Sequence, residues 1–239
     1  MPYNAYRILV LDPNDNDALF SAGEGYFLSG MYMETNGCLY NGTIIGIDGR
    51  AYGIPYQANL ILKCYPPRMN FVGREGDESF FCSGGDSGRD GCVYTASKEG
   101  QVVKIDTAND SICFVGNSID SDHDDKGWGN PVSGIDGCIY WPPYISRYIL
   151  KYDPHAKQTS LVGDDFGNAS SKWNGGSLAS NGVVYCLPDH AERILSIDPW
   201  KEYTMSLENN MGQHPEQLGC IFNPNDDIPN ETNFDNPTT

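Results

Sequence analysis

Long apolar runs are missing from this sequence. No stretch approaches the roughly 20 residues that a membrane-crossing helix needs, and no basic segment followed by an apolar one stands near Met1. Positive charge is scarce as well. Fifteen Lys and Arg face 32 Asp and Glu, a net charge of -17, so the summed field repels phosphate backbones and anionic lipid surfaces. The expectation is a soluble, cytoplasmic chain with no nucleic-acid partner and no membrane partner. Histidine is limited to positions 123, 155, 190 and 214, none at a zinc spacing, and no Cys-x-x-Cys pair exists, which removes support for transition-metal chemistry. Neither a phosphate-binding Gly-x-x-x-x-Gly-Lys-Ser/Thr loop nor a dinucleotide fingerprint occurs, so no cofactor is expected. There is no amphipathic pattern of helical period either.

What the chain does have is turn chemistry: 27 glycines and 15 prolines in 239 residues, with many Asn and Asp. They recur with a period. Gly49, Gly91, Gly137 and Gly182 are separated by 42, 46 and 45 residues, each preceded by Asp48, Asp90, Asp136 or Asn181 and followed three residues later by Tyr52, Tyr94, Tyr140 or Tyr185. Nine residues before each glycine stands Tyr40, Cys82, Trp128 or Trp173, and two residues after that Gly42, Gly84, Asn130 or Gly175. Beyond the tyrosine come Pro55, Ser97, Pro143 and Pro188, then apolar segments closed by Asp106, Asp153-Pro154 or Asp198-Pro199.

Each recurring residue has a physical reading. Asp-Gly or Asn-Gly between two apolar runs marks a tight hairpin, here expected as a type I′ turn with positive φ at both central residues. Paired glycines such as Gly84-Gly85 and Gly175-Gly176 mark a strand to which another backbone comes close. Alternation in Gly182-Val183-Val184-Tyr185-Cys186-Leu187 is that of a strand, and Pro188 ends it. Each unit is therefore a four-strand meander the size of a propeller blade. The fold class expected is all-β, a β-propeller of four-stranded blades over residues 1–222. Full repeats span about 37–76, 79–118, 125–166 and 170–208, followed by an acidic, disordered tail over 223–239. Residues 1–25 match only a third and fourth strand, since Pro2-Tyr3-Asn4-Ala5 repeats Pro55-Tyr56-Gln57-Ala58. Gly219-Cys220-Ile221-Phe222 echoes Gly182 onward, which makes residues 209–222 a C-terminal half-blade. The two halves would close a five-bladed ring and a monomer; without them the chain is a fragment of a larger propeller with open sheet edges.

The succession of aromatic, Gly-Gly, Asn-Gly, Tyr, Pro and then Ile-Leu-x-Ile-Asp-Pro resembles the loosely related repeats of kelch, NHL and quinoprotein-like propellers, from Pro2 to about Phe222. The resemblance implies blades. The Trp-Asp and Gly-His signatures of WD repeats are absent, and the tryptophan precedes the glycine pair, a departure from kelch, so no family's ligand set carries over.

Several local patterns invite chemistry. Gly85-Asp86-Ser87-Gly88 looks like a serine-protease nucleophile motif, but the first histidine, His123, lies downstream, and Gly84-Gly85 fills a repeat slot. Asp120, Asp122 and Asp124 alternate in an acidic loop whose carboxylates suit calcium, though an EF-hand's Gly and Glu are replaced by Asp125 and Pro131. Cys92 and Cys138 share one repeat position flanked by strand residues, as buried reduced cysteines do, which points to free thiols and a reducing compartment. Sequons at Asn41, Asn109, Asn168 and Asn230 leave a secreted route open. Tyr40, Trp128 and Trp173, recurring at one position, are read as packing between blades.

Variation within a regular position is the best pointer to a ligand. The loop after the second strand reads Tyr56-Gln57, Lys98-Glu99, Tyr144-Ile145 and Asp189-His190 in successive repeats. Tyr56, Lys98, Tyr144, Asp189 and His190 are thus the candidate binding residues, expected on one rim. The leading reading is a non-catalytic scaffold for a protein or carbohydrate ligand. One alternative is a glycoside hydrolase or lyase with carboxylates near the axis, Asp86 and Asp189 first among them; another is a partial gene product without a separate role.

Overall fold

A computed structural model describes residues 8–11, 19–22, 40–56, 58, 60–65, 68–73, 82–97, 99–119, 127–201 and 205–207. All of them belong to one compact unit, Met1–Glu208. Among the described residues there is no helix, as the missing helical period requires. Strands β1 (Ile8–Leu11) and β2 (Leu19–Ala22) form a two-stranded antiparallel sheet. Four four-stranded antiparallel sheets follow. The first blade holds β3 (Tyr40–Ile45), β4 (Ala51–Pro55), β5 (Ile61–Tyr65) and β6 (Arg68–Val72). The second holds β7 (Asp86–Ser87), β8 (Val93–Ala96), β9 (Val102–Asp106) and β10 (Ser111–Val115). The third comprises β11 (Val132–Ser133), β12 (Ile139–Trp141), β13 (Ile149–Asp153) and β14 (Gln158–Val162). The fourth comprises β15 (Trp173–Leu178), β16 (Val184–Pro188), β17 (Ile194–Ile197) and β18 (Met205–Leu207).

Every sheet is a meander in chain order, and the first strands β3, β7, β11 and β15 neighbour one another in succession, the arrangement of propeller blades about a common axis. Four complete blades and the β1–β2 pair are in place. The half-blade expected at residues 209–222 and the tail expected at 223–239 lie outside the described residues.

The core is three inter-blade layers. Tyr52, Ile54 and Ile61 of the first blade pack on Val93, Val103 and Ile105 of the second. Tyr94, Ala96 and Val102 meet Ile139, Leu150 and Tyr152 of the third. Tyr140 and Ile149 in turn meet Val184, Leu195 and Ile197 of the fourth. Period-2 alternation puts one set of each blade's side chains forward and the other backward, so one sequence pattern serves both faces. The recurring tryptophans anchor these layers: Trp128 Nε1, four residues before β11, donates to Tyr148 O at 2.9 Å and Trp173 Nε1, on β15, to Arg193 O at 2.8 Å, each reaching the loop before its blade's third strand.

The hairpin between first and second strands differs from the type I′ turn expected. Gly49, Gly91, Gly137 and Gly182 have φ between +73° and +85°, whereas the preceding Asp or Asn does not enter the positive region. Gly49 N donates to Gly46 O at 2.9 Å and Gly46 N to Arg50 O at 2.9 Å, a pattern repeated in the other three blades. The loop is a turn followed by a left-handed glycine bulge, which spares Asp the positive φ. Freed from that conformation, the carboxylate works twice. Asp90 Oδ1 accepts from Cys92 N at 3.2 Å, and Oδ2 accepts from Tyr94 Oη at 2.7 Å and Lys104 Nζ at 2.9 Å. The set recurs as Asp48, Tyr52 and Lys63 and as Asp136, Tyr140 and Lys151, with each ammonium also 5.2 to 5.7 Å from the tyrosine ring. In the fourth blade the charges are replaced together: Asn181 Nδ2 donates to Tyr185 Oη at 3.1 Å, and Ser196 lies opposite Tyr185.

These sets shift the titrations. Burial works against ionisation of Asp48 and Asp90. In Asp48 the Arg50 N–H, Tyr52 hydroxyl and Lys63 ammonium overcome it, and in Asp90 Lys104, Tyr94 and the Cys92 N–H do, holding both carboxyls below their ordinary value. Burial, reinforced by Asp90, pushes the Tyr94 hydroxyl up.

The six described cysteines form no disulfide. Burial pushes the thiols of Cys82, Cys138 and Cys186 up to about 12. No helix of the described residues is long and apolar enough to cross a membrane.

Candidate binding face

Of the loop residues singled out by sequence, Tyr56 follows β4, Tyr144 follows β12, and Asp189 and His190 follow β16. Lys98 lies outside the described residues, and so do Asp120, Asp122 and Asp124 of the acidic loop. Three of the four described positions come together. Tyr144 O accepts from Lys172 N at 3.0 Å, and Tyr144 Oη accepts from Ser171 Oγ at 3.0 Å. On the other side, Asp189 N donates to Lys172 O at 2.9 Å and His190 N to Ser171 O at 2.8 Å. The dipeptide Ser171-Lys172 thereby stitches the third blade's loop to the fourth's, while Tyr56 stands on the first blade.

Lys172 fixes this junction and was not legible as a site residue. Its side chain is 4% exposed, and Nζ donates to the carbonyls of Ile145 (3.0 Å), Gly167 (3.1 Å) and Ala169 (2.7 Å). Three acceptors for three ammonium protons is full satisfaction, so the buried charge is held by main-chain dipoles. The Arg147 guanidinium, paired through two nitrogens with the Asp165 carboxylate, holds the same linker from outside.

Asp189 also borders an open cavity of about 700 Å³ that runs from Asn130 across Asn174 and Ser177 of β15 to Tyr185, Leu187 and Asp189. Tyr185 and Leu187 alternate along β16, so they share a face. In the first two blades that face is core: Tyr52 and Ile54 are both 0% exposed, Tyr94 and Ala96 0% and 4%. In the fourth blade Leu187, at the position of Ile54, is 68% exposed. His190 Nδ1 lies 3.6 Å from Asp189 Oδ1 at the cavity's rim, a contact that carries opposite charges only when the imidazole is protonated. At the inner end Asn130 occupies the repeat slot that is glycine elsewhere. Its Nδ2 donates to Asn174 O at 3.0 Å, and its Oδ1, turned onto Gly84, is buried with no hydrogen-bond partner among the described residues.

Asp86 is employed differently. Its Oδ1 accepts from Ser87 N at 2.8 Å and Oδ2 from Ser133 N at 2.6 Å, and Ser133 Oγ donates to Ser87 O at 2.8 Å. The carboxylate splices β7 to β11, and Ser87, of the protease-like motif, donates to Ile45 O at 3.2 Å on β3. Among the described residues no group of three or more His, Cys, Asp or Glu is placed to hold a metal ion.

No protein-family model matches the chain, and no curated protein matches it in sequence. Solved structures do. Virginiamycin B lyase from Staphylococcus aureus superposes with a TM-score of 0.67 at 12% identity, over 86% of this chain and 64% of that one. A gluconolactonase from Xanthomonas campestris gives 0.52 at 10% identity, over 71% and 64%. An auxiliary nutrient binding protein from Bacteroides thetaiotaomicron gives 0.50 at 14%, over 86% and 57%. The chain thus spans less than two thirds of the length of these structures. At such identities the likeness is one of fold, and the class it defines together with the blades is the β-propeller repeat protein.

Proposed function

We propose that this chain is a non-catalytic binding scaffold that takes a protein or carbohydrate ligand on the forward face of its fourth blade. The observation that carries the reading is the junction that brings Tyr144, Asp189 and His190 together across Ser171-Lys172, beside a cavity of about 700 Å³ on the fourth blade lined by amide, hydroxyl and carboxylate groups. Two amides, Ser177, Tyr185 and Asp189 supply the mixture of donors and acceptors that a neutral polar ligand or a peptide backbone uses, and Tyr144 and His190 extend it along the rim. The reading needs no cofactor. Free thiols at the six described cysteines support a reducing, cytoplasmic setting.

A lyase or glycoside hydrolase is the second reading, favoured by the acid and imidazole that Asp189 and His190 place at the cavity mouth. Its weakness is that the described lining offers one carboxylate, whereas paired-carboxylate hydrolysis uses two. A glycan array and a peptide-library pull-down are the test. Retention of a ligand that is lost in both Asp189→Ala and Leu187→Asp, with no change in the ligand's covalent structure, is the expected outcome. Turnover of the retained ligand, abolished by Asp189→Asn, would transfer the assignment to the enzyme.

A further inference from the structure

A second cavity, of about 250 Å³, opens between the third and fourth blades and is bordered by Tyr140, Lys151, Asp198, Trp200 and Lys201. The first junction holds a lysine at the same position of the blade, opposite the repeat tyrosine. There, Lys63 is 5% exposed because Asp110, from the turn before β10, closes over it and pairs with its ammonium. At the third junction the corresponding turn begins Asp198-Pro199-Trp200-Lys201, the position of Asp110 falls at Glu202, outside the described residues, and Lys151 faces the turn with Nζ 3.8 Å from Asp136 Oδ2, beyond hydrogen-bond reach. Lys151 remains partly exposed.

The turn also presents an indole to water. Trp200 is 72% exposed, whereas Trp128, Trp141 and Trp173 are 5%, 1% and 4% exposed. Its backbone is fixed, since Trp200 N donates to Asp198 Oδ1 at 3.0 Å, and Lys201 Nζ lies 3.2 Å from Asp198 Oδ2. A large aromatic face held in solvent, next to a small cavity with ammonium donors and a carboxylate acceptor, is a binding arrangement with a definite chemistry. The two ammoniums are offset by Asp136 and Asp198, and the chain as a whole carries -17, so neither a cation nor an anion is favoured. What fits is a neutral ring with an apolar face and a hydroxyl rim. The volume admits one such ring.

We infer that the cleft between the third and fourth blades binds a neutral pyranose, its C–H face on the Trp200 indole and its hydroxyls on Lys151, Lys201 and Asp198. The site is separate from the Asp189 face, so each stands or falls without the other. Intrinsic tryptophan fluorescence tests it, because the other three indoles are buried and Trp200 carries any ligand response. The full chain is titrated with the methyl pyranosides of glucose, galactose, mannose and N-acetylglucosamine, with glucuronate and glycerol as controls. A saturable change with at least one neutral pyranoside is expected, insensitive to salt, lost in Trp200→Ala, weakened about tenfold in Lys151→Met and unchanged in Asp189→Ala. Thermal melts of the variants report folding independently. Absence of saturation with every pyranoside, a response that survives Trp200→Ala, or a response to glucuronate alone that salt abolishes would each overturn the inference.

Discussion

Asp48 and Asp90 each hold a hairpin tip, a tyrosine and a lysine at once, and the pH dependence of the fold follows from that. Their folded-state pKa values are lowered, so the unfolded chain takes up protons first as the solution is acidified. The stability they contribute is therefore present above the unfolded aspartate value of about 3.9 and lost as pH falls through the lower folded values. The melting temperature is expected to be steady from pH 7 to about 5 and to drop below about pH 4, with a shallower drop in Asp90→Asn. Scanning calorimetry across that range checks it. The thiols give a second outcome at this scale. Cys82, Cys138 and Cys186, pushed up to about 12 by burial, stay protonated at pH 8, whereas Cys113 is exposed on β10. Peptide mapping after a short iodoacetamide pulse is expected to find Cys113 labelled ahead of those three, and equal labelling would contradict their burial.

At the level of elements, the glycines separate into two kinds. Gly49 has φ +73° with open space where a Cβ would stand, so Gly49→Ala carries only the left-handed penalty of about 1–2 kcal/mol. A Cβ on Gly176 would lie 2.5 Å from Tyr185 O and 2.8 Å from Cys186 Sγ, and the neighbouring backbone has no room to retreat, so Gly176→Ala is expected to cost about 3 kcal/mol. Urea unfolding of the two variants measures the difference. Both kinds were visible in the sequence as recurring letters, and so were the strands, because hydrophobic alternation and Asp-Gly punctuation are local signals. The turn type was not. Asp-Gly fits both a two-residue hairpin and a bulged loop, and the residue three before the glycine, on which the chain closes, is Gly46 in the first blade but Ala179 in the fourth, so no single letter marks the second. The Asp–Tyr–Lys sets were half legible: the Asp and Tyr columns stood out, but the lysine joins through cross-strand register, Tyr52 opposite Lys63 and Tyr94 opposite Lys104, which sequence spacing hides.

For the whole molecule, repeat equivalence makes a direct comparison possible. Ile54 and Leu187 occupy one position of the blade, yet the first is 0% and the second 68% exposed. Ile54→Ala is expected to destabilise by about 2–5 kcal/mol and Leu187→Ala by less than about 0.5 kcal/mol. Similar losses for both would mean that the fourth blade's face is covered in solution. Tyr56, Tyr144, Asp189 and His190 follow second strands, and Tyr144, Asp189 and His190 meet across Ser171-Lys172. The cavity beside them was invisible in sequence, because its lining comes from Asn130 before β11 and from β15, β16 and the loop after it, which only the fold brings together, and Lys172 was invisible because a carbonyl-capped lysine has no motif. Another contact runs through the assembly. The side chain of Ile47 rests on Gly91, Arg89 reaches over Gly137 to the Ile135 carbonyl, and Ile135 rests on Gly182. Each tip overlaps its successor like a roof tile, and the seat it finds on the next unit is a bare glycine. A gene that gained or lost one whole repeat would meet the same seat on either side of the splice, so propellers of different blade number lie a single duplication apart.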